Sequence, residues 1–449
     1  MERGSFGTKI GVVLATAGSA VGLGNIWRFP YITGEDGGAA FIVVYLVAVA
    51  VLGIPGMVAE FVVGRHGAAN APRAYSLVGG KAWSIVGYMG VLTSVIILGF
   101  YSVVAGWCVQ YLFASLLGQL NGDATYVKNY FQQFSTDPIK PLLWTIVFII
   151  LTHLVVVRGV RRGIEKVSNV LMPVLFVLLL LIVVASCMLP GAIKGVEFLL
   201  KPDFSKVNAD VFLDALGQAF FALSLGTACL CTYASYFGRD INLLKSAGQI
   251  AFIDSMVAIL AGLMIFPAAF SVGVDADSGP SLIFITLPNV FNQAFSAIPS
   301  LGYVIGILFY SLLAVAALTS TISMHEIGTA FFQEEMRLSR KVAVVIVTTV
   351  ASVVCVLSSI SMGACPGAML WGKPLLSFFD FLTAQLMMPA GAFLTTLYVG
   401  WVAPKSKVYK QFTNGGMVYA QFFPYFLFLV RFVCPTCILL IFLHELGWI

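Results

Sequence analysis

The chain has 449 residues, 59% of them hydrophobic and only 10% charged. Soluble domains carry roughly 25% charged residues, so a water-soluble protein is excluded and an all-α polytopic membrane protein is expected. The net charge of +5 is no nucleic-acid signal, because Lys and Arg sit in short loops between apolar runs.

Residues 1–9 are too short and polar for a secretory signal peptide, so the first apolar run is expected to stay in the membrane. That run is interrupted by Gly18-Ser19-Ala20-Val21-Gly22-Leu23-Gly24-Asn25-Ile26-Trp27-Arg28-Phe29-Pro30. Glycine weakens a helix, and hydrocarbon gives freed N–H and C=O groups no partner. Such backbone is tolerated at membrane depth where it lines a cavity. The stretch therefore predicts a membrane helix broken at midspan. Its loose carbonyls would hold a cation and its bare N–H groups an anion. The alternative is a kinked helix packed through small residues. Arg28 weighs against it, because a guanidinium at the edge of an apolar helix needs a partner.

Apolar stretches of spanning length recur near 10–34, 40–63, 84–117, 142–157, 165–189, 211–236, 245–272, 300–333, 341–359, 376–401 and 421–444, about eleven in all. The fourth is short, and the third and eighth are long enough to tilt. With a cytoplasmic N-terminus, the inner loops hold clusters such as Arg158, Arg161, Arg162 and Lys166, or Lys405, Lys407 and Lys410. The outer loops hold only Lys128, Lys140, Lys194, Lys201, Lys206 and Lys373, so loop charge favours that orientation. The polar loop Gly118–Pro141 has room for one short helix. The loop Val272–Ser300 is too apolar to be a solvated linker, and its Pro280–Pro288 segment is expected to dip back as a short helical lid.

Of the eight cysteines only Cys365 falls in a clear outer loop, so no external disulfide is expected. Cys434-Pro-Thr-Cys437 lies within a span and reads as packing rather than redox chemistry. His325-Glu326 lacks the second His of a zinc-protease helix.

The sixth span is interrupted too, by Gln218-Ala219-Phe220-Phe221-Ala222-Leu223-Ser224-Leu225-Gly226-Thr227. The chain thus divides into a five-helix unit 10–189, a second unit 211–401, and an additional eleventh helix 421–444, with the first helix of each unit broken. Paired breaks in corresponding positions point to an inverted-repeat transporter with its site at the midplane.

Four stretches together carry a specific resemblance. They are Gly18–Pro30; Arg158-Gly-x-x-x-Gly-Ile-Glu165; Gln218-x-x-Phe-x-x-Ser224-Leu with Tyr233-Ala-Ser-Tyr236; and Ala316-Ala-Leu-Thr-Ser320. From about Gly4 to about Leu443 the chain resembles the neurotransmitter:sodium symporters. The fold this implies is the LeuT-type 5+5 inverted repeat. Many family members carry a twelfth helix, whereas eleven are expected in this chain.

The resemblance implies two sodium sites. One would use carbonyls of Gly18, Val21 and Ala316 with hydroxyls of Thr319 and Ser320, an oxygen cage suited to a hard cation; the competing reading is that Thr319 and Ser320 bond back to their own helix carbonyls. The other would use carbonyls of Ala20 and Ala222, the Asn25 side chain and Asp254. Here the chain departs from the family, in which the Ala222 position usually bears a hydroxyl and the Asp254 position often an Asn. Animal members hold a chloride beside this site. Tyr45 and Gln218 match two of its ligands, whereas Ala222 and Ala258 replace polar ones. Asp254 is therefore expected to replace the chloride charge, so that chloride is not required, and to pick up a proton when sodium leaves; the competing reading is an Asp that pairs structurally with Asn25 or a water.

The substrate is expected between the two breaks. N–H groups near Leu23 and Gly24, with the Tyr101 hydroxyl, would meet a carboxylate. Carbonyls of Ala20, Phe221 and Ala222 would meet an ammonium. Monoamine carriers of the family have an Asp where this chain has Gly22, so an α-amino acid that brings its own carboxylate is expected. The side-chain pocket would be Ser19, Ile97, Ser224, Thr227, Ser320 and Met324, larger or more polar than one for a small aliphatic, with Tyr101 and Phe221 closing over it. Ordinary packing is the competing reading for each apolar residue. The resemblance also implies an outer gate of Arg28 with Asp380, and an inner gate of Arg3 with Glu334 near Phe6, Ser235 and Tyr236. Glu60 and Glu165 are read as structural.

The expectation is a sodium-coupled amino-acid symporter in the plasma membrane, of bacterial type, working by alternating access. Its partners are the amino acid, sodium and the lipid bilayer, with no nucleic acid. The rivals are a carrier of another zwitterion or amine and a non-transporting sensor of the same fold. A channel lacks reason for paired breaks, and the dinucleotide-like Gly22-x-Gly24 follows no strand, which argues against an enzyme.

Overall fold

The computed structural model describes residues 4–273, 282–296, 298–365 and 367–448. Among them, eight helices are long and apolar enough to cross a membrane: Ala39–Gly67, Lys81–Leu116, Val160–Cys187, Leu243–Ser271, Pro299–Glu335, Arg340–Ile360, Leu375–Val402 and Ala420–Glu445. Two bent pairs pass the same test, Lys9–Ala20 with Gly24–Glu35 at 57° and Ala124–Ser135 with Lys140–Val156 at 73°. One further span is split into Ala209–Ala222 and Cys229–Ala234. In chain order these elements supply the eleven expected spans. "Inner" below denotes the side that holds the N-terminus.

The first span breaks where its glycines predict. Its inner half ends at Ala20, Val21 is extended, and the outer half restarts with a wide turn, Gly24–Arg28, before the helix Phe29–Glu35. The Asn25 side chain closes the gap by accepting the Gly22 N–H at 3.1 Å, so a buried donor is satisfied without the helix ladder. The sixth span breaks more severely. Ser224, Gly226 and Ala228 all have positive φ, at 53°, 80° and 59°, a left-handed path that costs non-glycine residues about 1–3 kcal/mol. Neighbouring side chains hold this loop in place. Glu60 of the second span accepts the Gly226 N–H at 2.7 Å and the Cys231 N–H at 3.4 Å. Ser94 of the third span donates to the Thr227 carbonyl at 2.6 Å. At Gly226 a Cβ would stand 2.1 Å from the Met388 carbonyl, so only glycine lets the loop lie against the tenth span.

The broken spans sit at the centre. The first packs on the fifth, seventh and eighth, and the sixth packs on the second. Glu165 at the start of the fifth span accepts the Gly7 and Thr8 N–H groups at 2.7 and 3.0 Å and the Thr8 hydroxyl at 2.8 Å. Both acids read as structural thus have backbone donors as partners.

The short fourth span is Lys140–Val156, and the bend before it follows Pro138. The helix Ala124–Ser135, capped by Asp123, occupies the expected position in the outer loop. Of the expected lid, Pro280 and Ser281 lie outside the described residues. Beyond them, Leu282–Thr286 and Leu287–Ala294 are helical. Phe284 is buried against Trp107, Tyr111 and Phe131, with ring centroids 5.0–5.7 Å apart. The segment therefore does turn back into the protein. A two-stranded hairpin, Met369–Leu370 with Lys373–Pro374, turns at Trp371 and Gly372 on the outer side of the tenth span. All eight cysteines are free.

Candidate functional site

Between the two breaks lies a chamber of about 440 Å³, within the roughly 300–1,000 Å³ range of small-molecule sites. Its walls come from the first, third, sixth, eighth and tenth spans, and it is lined by Ser19, Ala20, Leu23, Gly24, Ile97, Tyr101, Phe221, Ala222, Ser224, Thr227, Ser320 and Met324. It runs outward past Trp27 and Tyr31 to Leu376, Ser377 and Asp380. Arg28 and Asp380 are the only ionic side chains in this lining, and neither belongs to the segment between the two breaks.

The Leu23 N–H, expected to be bare, donates to the Tyr101 hydroxyl oxygen at 3.0 Å. That bond uses a lone pair of the Tyr101 oxygen and not its proton. Gly22 has no room for a side chain, because a Cβ there would lie 2.6 Å from Ser320 Oγ and 3.0 Å from the Tyr101 hydroxyl. Ser19 donates to the Thr16 carbonyl and Thr227 to the Ser224 carbonyl, at 2.6 and 2.8 Å. The Ser19 hydroxyl is thus tied to its own helix and the Thr227 hydroxyl to the loop of the sixth-span break.

Of the residues expected around one sodium ion, some meet across the first and eighth spans. Ser320 Oγ donates across to the Val21 carbonyl at 3.2 Å. The Gly18 Cα approaches so closely that a Cβ would meet Thr319 at 3.3 Å. Thr319 Oγ1 turns back to the Ala316 carbonyl at 2.9 Å, one of the carbonyls in the same expected set. At the second expected site, Asn25 donates from its amide to Asp254 Oδ1 at 2.8 Å and to the Asp254 carbonyl at 3.2 Å. The Tyr45 hydroxyl donates to Asp254 Oδ2 at 3.3 Å. Asp254 is wholly buried, and neither polar atom of the buried Gln218 amide has a hydrogen-bond partner. Such an orphan amide asks for an ordered water or ion.

At the outer gate the partner of Arg28 is not the expected one. Arg28 makes its ion pair with Glu445 of the eleventh span, at 3.5 Å, and its guanidinium lies 4.6 Å over the Phe221 ring. Asp380 lines the same chamber from the tenth span without an ion pair to Arg28 among the described residues. On the inner side Arg3 lies outside the described residues. Glu334 accepts from the Asn70 N–H at 2.7 Å and from its amide at 3.1 Å. Phe6 packs on Tyr233, Tyr236 and Phe237, with centroids 5.8–6.3 Å apart, and closes the inner end. Tyr236 donates to Glu326 at 2.8 Å, and Glu326, wholly buried, pairs with Arg340. Sequence reasoning missed Glu326, Arg340 and Glu445; the only signal was that each is an ionic residue within or beside an apolar span.

Outside the spans, Asp36 lies in the turn after the first outer half-helix. Burial pushes its carboxyl up to about 7, helped by the charges of Asp214, Glu35 and Asp210. Its Oδ2 has no hydrogen-bond partner.

Comparison with known proteins agrees with this architecture. Residues 3–133 and 126–447 match the family described as the sodium:neurotransmitter symporter family. An uncharacterised sodium-dependent transporter, YhdH of Bacillus subtilis, is 39% identical over 98% of this chain and 97% of its own length. An uncharacterised sodium-dependent transporter of Haemophilus influenzae is 34% identical over 99% and 98%. The crystal structure of MhsT in complex with L-phenylalanine superposes with a TM-score of 0.89, at 38% identity, over 99% of this chain and all of that one.

Proposed function

The chain belongs to the sodium:neurotransmitter symporter family, whose members are sodium-dependent transporters rather than enzymes, and we propose that it imports neutral α-amino acids with large side chains. The observation that carries this is the chamber between the breaks, where the side-chain groups nearest Gly22 are the Ser320 and Tyr101 hydroxyls and not an ionic group. A bare amine would have no counter-charge there, whereas a zwitterion meets complementary groups at both ends. Its carboxylate would take the Tyr101 proton and backbone N–H groups near Leu23 and Gly24. Its ammonium would take carbonyls of Ala20, Phe221 and Ala222. The volume and the adaptable Met324 support a bulky, even aromatic, side chain, and MhsT is described with L-phenylalanine.

Sodium is cargo in this reading. One ion would sit among Gly18, Val21, Ala316, Thr319 and Ser320, the other among Ala20, Asn25, Ala222 and Asp254. The carboxylate of Asp254 occupies the Tyr45 hydroxyl, which supports a fixed charge in place of chloride. The units 10–189 and 211–401 would be the two inverted repeats, in a bacterial plasma membrane with a cytoplasmic N-terminus.

The test is uptake of labelled amino acids into proteoliposomes under a sodium gradient. Saturable, sodium-dependent uptake of L-phenylalanine and similar amino acids is expected, unchanged when gluconate replaces chloride. Sodium-independent uptake, or preference for phenethylamine over phenylalanine, would overturn the proposal. Chloride-independent transport retained in Asp254→Asn would overturn the role given to that carboxylate.

A further inference from the structure

The transport reading leaves the eleventh span without a task, yet that helix ends on a charge that pairs with Arg28 of the chamber wall. Glu445 is the last residue of Ala420–Glu445. Its Oε1 is 3.5 Å from Arg28 Nη2, with the two side chains 22% and 32% exposed. The same oxygen lies 3.9 Å from where a Cβ on Gly217 would stand. Glu445 therefore meets the outer halves of both broken helices at once.

Arg28 faces a second carboxylate across the opening. Asp380 lines the chamber with it and has no ion pair of its own among the described residues. Arg28 ends the wide turn Gly24–Arg28, and Asp380 directly precedes another, Phe381–Met387. Such turns recur at functional sites. A guanidinium between two carboxylates on different elements has two resting positions, and the position taken depends on how far apart the walls stand.

We infer that Glu445 is the open-chamber counter-ion of Arg28, and that closure hands the guanidinium to Asp380. Glu445 is then a positioning residue: it touches no substrate and sets how readily the outer gate shuts. The eleventh helix, outside both five-helix units, becomes part of the gate. This inference rests on the transport reading for its kinetic arm only.

Two measurements test it. Spin labels at Ser205→Cys and Lys373→Cys, with Cys187→Ser and Cys365→Ser, report the width of the outer mouth in sodium without substrate. Glu445→Gln is expected to shift that distribution toward shorter distances, and Asp380→Asn toward longer ones. In uptake assays Glu445→Gln should lower KM about two- to fivefold, the scale of a partly exposed ion pair. That shift should vanish in the Asp380→Asn background, where Arg28 has nowhere else to go. Glu445→Asp should restore most of the open population, and it carries the test if the Gln variant does not fold. An unshifted distance distribution in Glu445→Gln, or a KM shift that persists with Asp380→Asn, would overturn the inference. The distance measurement needs no substrate. A protein that carried no amino acid would therefore sink the transport proposal, while the spin-label distances would still decide the role of Glu445.

Discussion

Tyr101 performs two tasks with one hydroxyl. It accepts the Leu23 N–H at 3.0 Å, which keeps the broken strand in place, and it retains a proton for a ligand. Tyr101→Phe strands a buried donor, at a cost of about 1–3 kcal/mol. The expected outcome is a KM for sodium-driven uptake raised about tenfold or more with the protein still folded, checked by transport kinetics beside thermal unfolding in detergent. Asp36 gives a pH prediction of opposite character. Its folded pKa, about 7, lies above the 3.8 of a free Asp, so the folded state binds the proton more tightly than the unfolded chain. Stability from this group is full below the lower value and is lost as pH rises through the upper one. Asp36→Asn should therefore melt higher than the parent at pH 8 and level with it near pH 4. The gain at pH 8 is about 1 kcal/mol once its partial exposure is allowed for.

Both helix breaks were legible in the sequence because glycines and polar residues interrupt apolar runs that hydrocarbon would otherwise require to be continuous. What holds the sixth-span break was not legible. Glu60 and Gly226 are 166 positions apart, and no periodicity connects a carboxylate to an N–H at that distance. The same holds for Arg28, whose resemblance-based partner was Asp380. Its observed partner Glu445 is 417 positions away, on a helix that neither repeat contains. The tenth-span contact adds a sharp prediction. In Gly226→Ala the new Cβ would lie 2.1 Å from the Met388 carbonyl, at a φ of +80°. Loss of about 2 kcal/mol or more is expected, seen as a lower melting temperature and lost uptake. An unchanged melt would mean that the loop does not rest on the tenth span.

At the scale of the whole molecule, packing and ionic contacts crowd the inner end, while the chamber lies between the breaks and runs to Asp380. The inner closure draws on aromatic packing around Phe6 and on the Tyr236–Glu326–Arg340 network. Arg340 also donates to the Val156 carbonyl at 2.8 and 2.9 Å, so one guanidinium joins the fourth, eighth and ninth spans. Arg340→Met leaves the wholly buried Glu326 without its cation, a loss of about 3–5 kcal/mol. The double variant Arg340→Met with Glu326→Leu should recover most of the melting temperature. If the two losses simply add, the pair is not coupled as described.

Glu60 has one more consequence, for the order in which the polypeptide is made. Its carboxylate enters the lipid when the ribosome has yet to synthesise the segment 166 positions on that will receive it. Until the sixth helix is threaded in, that acid lacks the two N–H groups that hold it in the finished fold. A Glu60→Leu chain should pass this early stage more easily than the parent, yet arrive with its sixth helix unmoored.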